Sequence, residues 1–519
     1  MKVTELLESD AKTRPHKPAF IYKDQVITFA QVKDIVFKLA NSLIDLGVKK
    51  GNKVAIYLPN CPEYIYSYLA IWSIGATAVP LDFMFTQDEL ISCIFHSDAN
   101  LLIAKTKSNI SLSEIKQECP ALKSIVICGE DIEGFLSFGT LLAKGKNISL
   151  EAKISDKDYA IIFYTSGTTG KPKGVLVNYL QLEAPPKAMA HFVDFNDKDI
   201  ILCALPFSHL GGLVYLQNCV SFGLTMVLME RFVPLEFLKN IQKYRVTCLW
   251  IVPSMYYALL QLKEFENLDL SSLRWIVSFG AASSPDALRR FHQYCPQAHF
   301  LHGWGLTETN APTTVIPMGS KKLESVGKPA PWIEVEIFSI EGARLPDEQG
   351  GACGIEEYDK EVAQGEVGEI VVRGWVVTDG YYKDPEATAY AIRNGWFHTG
   401  DLGRFDSEGD LYILGRKKEM IKVAGEIVFE PEVEAAIHKH EDVAEAAVIG
   451  VADKLRDEVP KAYVVLKEGK SLSEEDLRYF CRQHLAHFKI PHYFEFVDSL
   501  PKNRAGKVDK EELRSNLYK

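Results

Sequence analysis

A chain of 519 residues exceeds what one hydrophobic core serves, so two or more domains are expected. With 47% hydrophobic and 24% charged residues it reads as a globular protein, neither disordered nor fibrous. The formal net charge of −11 weighs against a general binder of nucleic acid or of anionic membranes.

The opening residues, MKVTELLESDAKTRPHKPAF, contain no apolar signal core, which points to the cytoplasm. KVAIYL (53–58) reads as a strand, CPEYIYSYLAIWSIG (61–75) as a helix ending at Gly75, and ATAVPLD (76–82) as the next strand. LLIAK (101–105), SIVICG (124–129), AIIFY (160–164), TMVLME (225–230), CLWIVP (248–253) and WIVSFG (275–280) continue the pattern, many with helical stretches between them. This alternation predicts an α/β fold with largely parallel sheets. The most apolar stretch, 212–229, is broken by Gln217, Asn218 and Ser221, so it is expected in the core and not across a membrane; contact with a membrane surface stays open. After about 330 the runs EVEIF, GEIVVRG and GDLYILG are short, β-like and separated by Gly and Asp, which predicts a smaller β-rich part. Beyond Gly415 a helix near 431–439, strands near 444–451 and 462–467 and a helix near 473–484 predict a small α+β domain. The ten cysteines include no C-x-x-C pair and are expected as core residues in a reducing compartment.

The densest chemical signal is YTSGTTGKPKG (164–174), which leaves the apolar run 160–164. Glycines let backbone N–H groups approach phosphate oxygens, hydroxyls donate hydrogen bonds, and lysines add charge. Thr165, Ser166, Gly167, Thr168, Thr169, Gly170, Lys171 and Lys173 are the candidates. It is not a Walker A loop: Thr165 stands where that motif needs its first glycine, and Pro172 follows Lys171. The plain alternative is a surface turn, which does not account for so many hydroxyls, glycines and lysines together.

This segment resembles the phosphate-binding signature of the ANL adenylating superfamily, which includes acyl-CoA synthetases, peptide-synthetase adenylation domains and luciferases. The resemblance runs in order through VAIYLPNCPEYIYSYLAIWSIGATAVPLD (54–82), 165–174, PFSHLGG (206–212), FGAASS (279–284), GWGLTET (303–309), GEIVVRG (368–374), GWFHTGDLG (395–403), LGRKKEMIKVAGEIVFEPEVE (414–434) and PKNRAGKVD (501–509). It implies a large N-terminal adenylate-forming domain (1–414), a hinge (415–418) and a small mobile α+β lid (419–519).

By the same resemblance, Gly303, Trp304 and Gly305 face adenine, Thr307 meets the α-phosphate, and Glu308 holds Mg²⁺, a hard ion suited to a carboxylate. Gly280, Ala281 and Ala282 leave room for a base or an acyl chain; helix–strand packing is the structural alternative. Asp401 accepts from the ribose hydroxyls, and Arg416 contacts ribose or phosphate; a surface ion pair is the alternative for each. Lys507 bridges the acid and the α-phosphate. Lys422 and Gly425 serve thioester formation after the small domain turns about Lys418. His209 lies near the activated carboxylate, or is structural. Trp304 stands where tyrosine is commoner, Ser283 where proline often follows, and Val177-Asn178 where many relatives have Thr-His. The stretch 350–364 is longer than usual and is expected as a surface loop.

The resemblance implies ATP-dependent activation of a carboxylic acid to an acyl-adenylate, then transfer to coenzyme A, by a monomer or homodimer. The stretch 246–253, VTCLWIVP, contains no acidic residue to pair an amino acid's ammonium, and an unpaired buried charge is costly. A medium- or long-chain fatty acid is expected, with an aryl acid as alternative. An acyl carrier protein could replace coenzyme A as acceptor, and a non-catalytic paralogue is the remaining reading.

Overall fold

The computed structural model describes residues 2–150, 152–165, 173–280, 285–310, 312–340, 360–423, 426–453, 455–502 and 508–515. Lys53–Tyr57 is buried from its second residue onward, and Thr77–Pro80 and Leu101–Ala104 are buried throughout. Strands covered on both faces belong to parallel sheets flanked by helices. They form one sheet in the order Leu136–Ser137, Ser124–Ile127, Leu101–Ala104, Lys53–Tyr57, Thr77–Pro80, Tyr159–Thr165, Lys173–Asn178. All pairs are parallel except the last, an antiparallel hairpin.

A second sheet runs Lys328–Pro329, Thr314–Val315, His299–Trp304, Trp275–Ser278, Cys248–Ile251, Ile200–Cys203, Thr225–Leu228, Pro18–Tyr22, Gln25–Thr28. Its centre is parallel and its two ends are antiparallel. The helices Pro62–Ser73 and Leu210–Phe222 fill the space between the two sheets. Every residue of the first but Glu63 is buried, and one apolar cluster joins Ile56, Trp72, Tyr215, Met226 and Trp250. Two buried polar tips are satisfied across this interface: Tyr68 Oη donates to the Phe207 carbonyl at 2.7 Å and the Trp72 indole to that of Ala160 at 3.1 Å. The apolar stretch expected in the core is this second helix, capped by Gly223 and followed by the buried strand Thr225–Leu228. Among the described residues no helix is long and apolar enough to cross a membrane, and the nine described cysteines are free and buried.

The β-rich part is an antiparallel sheet of Glu334–Phe338, Gly368–Arg373, Trp396–Phe405 and Ile392–Arg393, with Leu411–Arg416 paired to the long third strand. Residues 341–359, most of the expected surface loop, lie outside the described residues. The last sheet combines Met420–Val423, Glu426–Phe429, Val443–Asp453, Asp457–Leu466 and Tyr493–Phe496. Helices Glu430–Ile437 and Glu474–His484 are packed in the same apolar cluster as its strands. The strand expected at 444–451 is longer because its ladder with Asp457–Leu466 continues to Asp453. Buried Glu430 pairs with Lys510 at 3.0 Å and Arg514 at 2.7 Å, tying the helix Lys510–Ser515 to this domain.

Candidate active site

Two of the phosphate-loop candidates lie on an antiparallel strand pair, Tyr159–Thr165 and Lys173–Asn178. Thr165 and Lys173 face each other as its last described pair, and Ser166, Gly167, Thr168, Thr169, Gly170 and Lys171 lie outside the described residues. The segment 380–382 lies against the returning strand. Tyr382 N–H donates to the Gly174 carbonyl at 2.7 Å, and Leu176 N–H to that of Gly380 at 3.1 Å. That register places the Tyr381 ring under Lys173, whose Nζ is 5.2 Å from the ring centroid. The Tyr381 hydroxyl in turn donates to Glu308 Oε1 at 3.1 Å. Lys173, Tyr381 and Glu308 thus form a continuous row. Motif reading did not single out Tyr381; its signal was an aromatic pair after Gly380 with no helical or strand period.

Glu308 sits in the turn Thr307–Thr309 after the strand His299–Trp304. Its carbonyl accepts the Thr378 N–H at 2.7 Å, which fixes the turn against the β-rich part. Burial raises its carboxyl above the usual range against the lowering effects of the Tyr381 hydrogen bond and the Arg416 charge. A single hard-oxygen carboxylate, with no ion pair to a described lysine or arginine, fits the donor chemistry of Mg²⁺ completed by phosphate oxygens and water. Gly303 is required sterically: a Cβ there would collide with the Phe279 ring and the Thr314 carbonyl oxygen. Gly280 has φ +90°, a left-handed conformation that favours glycine; Ala281 and Ala282 lie outside the described residues.

Trp304 is 8% exposed and Asp401 4%. The indole Nε1–H donates to Asp401 Oδ2 at 2.9 Å, and Arg416 Nε pairs with Asp401 Oδ1 at 3.0 Å. Asp401 and Arg416 are direct cross-strand partners, so the sheet register itself makes the pair. Their charges both act on the Glu308 carboxyl, which links this cluster to the Lys173–Tyr381–Glu308 row.

His209 precedes the helix Leu210–Phe222. Its Nε2 is 3.1 Å from Oδ2 of Asp82, whose Oδ1 accepts the Met84 N–H at 2.8 Å. Asp82, the buried last residue of the motif 54–82, was not among the candidate site residues. Lys422 lies on the strand Met420–Val423, and its N–H donates to Glu458 Oε2 at 3.0 Å. Gly305 and Thr307 are half-buried beside Glu308; Gly425 and Lys507 lie outside the described residues. Within the expected hinge (415–418), Lys417 Nζ pairs with buried Glu369 at 3.2 Å. Burial alone would raise the Glu369 carboxyl; the His398 hydrogen bond and the charges of Lys417 and His398 outweigh it and bring it down to about 2.

Residues 7–382 match the family described as AMP-binding enzyme, and 432–507 match the AMP-binding enzyme C-terminal domain. The long-chain-fatty-acid–CoA ligase of Bacillus subtilis (strain 168) is 31% identical, covering 98% of this chain and 93% of that protein. The anthranilate CoA ligase AuaEII, solved in complex with anthranoyl-AMP, superposes with a TM-score of 0.90 at 27% identity, covering 99% of this chain and 97% of that one. ATP-bound MatB from Rhodopseudomonas palustris gives a TM-score of 0.89 at 28% identity, covering 100% of both chains. With both halves of the fold and full-length relatives in agreement, the chain belongs to the AMP-binding enzyme family of the adenylate-forming superfamily and is an acid–thiol ligase.

Proposed function

We propose that this ligase joins a medium- or long-chain fatty acid to coenzyme A through an acyl-adenylate, releasing AMP and pyrophosphate. The observation that carries the adenylating part is the row Lys173–Tyr381–Glu308 with the Asp401–Arg416 pair close enough to act on Glu308. It supplies a phosphate-side cation, a metal-type carboxylate and a ribose-type carboxylate in one place. In the first half-reaction the acid carboxylate attacks the α-phosphorus and pyrophosphate leaves. Lys507 spans the two anions and relieves their repulsion, Thr307 and the 165–173 segment hold the phosphates, and Asp401 and Arg416 fix the ribose. Glu308 would hold Mg²⁺, which when bound supplies charge neutralisation at the phosphate oxygens. The 419–519 domain then turns at Lys418 and presents Lys422 and Gly425. The thiol attacks the mixed anhydride with His209 beside the carbonyl, and AMP leaves. Such rotation can itself limit turnover.

The choice of acid rests on the strand Cys248–Ile251, which is buried throughout and carries no charged side chain. Its Trp250 indole donates to Met189 Sδ at 3.4 Å, an environment hostile to an ammonium group. The test is pyrophosphate release with ATP and Mg²⁺ over a panel of fatty, aryl and amino acids, with and without coenzyme A. CoA-dependent turnover is expected with fatty acids. Turnover confined to aryl acids would overturn the acid class alone. A pyrophosphate burst unaffected by coenzyme A would overturn the acceptor and point to a carrier protein.

A further inference from the structure

We infer that Trp304 is a positioning residue for the ribose-binding carboxylate, acting through its indole N–H on Asp401; the inference rests on the ribose role proposed above. The indole nitrogen lies 2.9 Å from Asp401 Oδ2, and the Arg416 guanidinium holds the other carboxylate oxygen at 3.0 Å. Each oxygen therefore has its own fixed donor, and the plane of the carboxylate is set from two directions. A vicinal diol needs two oxygens in one plane at fixed spacing, and a carboxylate free to rotate would present them only part of the time. Arg416 stands at the end of its strand, two residues before the expected pivot, so its grip is exposed to movement of the small domain. The indole belongs to the end of the strand His299–Trp304 in the large second sheet and stays with the nucleotide site whichever way that domain turns. Trp304 and Asp401 are both almost fully buried, where a charge-assisted hydrogen bond is strong and its loss is felt.

A residue that merely offered an aromatic face to adenine would affect every adenine nucleotide alike. A residue that orients Asp401 affects most those carrying both ribose hydroxyls. The experiment is calorimetric binding of AMP and of 2′-deoxy-AMP to the wild type, Trp304→Phe, Asp401→Asn and the double variant. Thermal unfolding of each establishes that it is folded. Phenylalanine keeps an aromatic plane and removes the donor. The expected result is AMP affinity reduced on the order of tenfold in Trp304→Phe, with 2′-deoxy-AMP, which keeps only its 3′-hydroxyl for Asp401, weakened less, so that discrimination between the two narrows. In the Asp401→Asn background the same change should leave the discrimination ratio where Asp401→Asn alone puts it. Equal weakening of both nucleotides by Trp304→Phe, with discrimination intact, overturns the inference and leaves the indole as a packing group. If Asp401→Asn itself keeps wild-type discrimination, the ribose role of Asp401 fails and the inference fails with it, although pyrophosphate release would still support the ligase reading. A folded wild type that binds neither nucleotide would sink both.

Discussion

Tyr381 touches two parts of the proposed phosphate site at once, with Lys173 over its ring and its hydroxyl on Glu308. Removing that hydroxyl leaves a half-buried carboxylate less constrained, and a hydrogen bond to a charged group contributes about 1.5–3 kcal/mol. Tyr381→Phe is therefore expected to raise the Mg²⁺ concentration needed for half-maximal pyrophosphate release and to lower kcat/KM by roughly tenfold; an unchanged Mg²⁺ titration curve would contradict this. Asp82 and His209 make a similar pair. If Asp82 acts by aiming the imidazole, Asp82→Ala and His209→Ala should each slow acyl-CoA formation and together do no more than His209→Ala alone. Additive losses would assign Asp82 a separate, structural task. Neither Tyr381 nor Asp82 was legible in the sequence, because each meets its partner across more than seventy residues of chain and only the sheet registers bring them together.

At the level of elements, the strand His299–Trp304 shows why a motif is also a packing solution. Gly303 passes between the Phe279 ring and the Thr314 carbonyl with no space for a methyl group. Gly303→Ala is expected to cost about 2 kcal/mol of stability by overpacking, read as a lower urea midpoint at unchanged slope, with weaker ATP binding because Trp304 and Glu308 follow directly. The alternation of apolar runs was readable as parallel strands since each was buried on both faces, and the observed strands fall within the expected ones. The antiparallel ends were not readable: Thr314–Val315 and Lys328–Pro329 have two residues each, too short for any period. Asp401 and Arg416 were separate candidates in the sequence; their direct cross-strand pairing follows from a bulge between Leu402 and Gly403 that motif spacing does not reveal.

For the whole molecule, the junction between the third and fourth sheets carries the proposed motion. Leu411–Arg416 ends the one and Met420–Val423 begins the other, and Glu369 anchors Lys417 between them. The Glu369 carboxyl lies below its ordinary 4.5, at about 2, so the folded state binds its proton less readily than the unfolded state. Its contribution is present above about pH 4.5 and is lost as pH falls towards 2. The stability gap between wild type and Glu369→Gln should accordingly be widest near neutrality and begin to narrow below about pH 4.5; a gap independent of pH would contradict it. The central claim, that one small domain serves two half-reactions with different residues, is tested most directly by separating them. Lys507→Ala should lose pyrophosphate release by at least about a hundredfold yet convert supplied acyl-adenylate and coenzyme A to acyl-CoA at close to the wild-type rate, while Lys422→Ala should show the reverse. Equal impairment of both half-reactions in both variants would contradict a division of labour between the two faces.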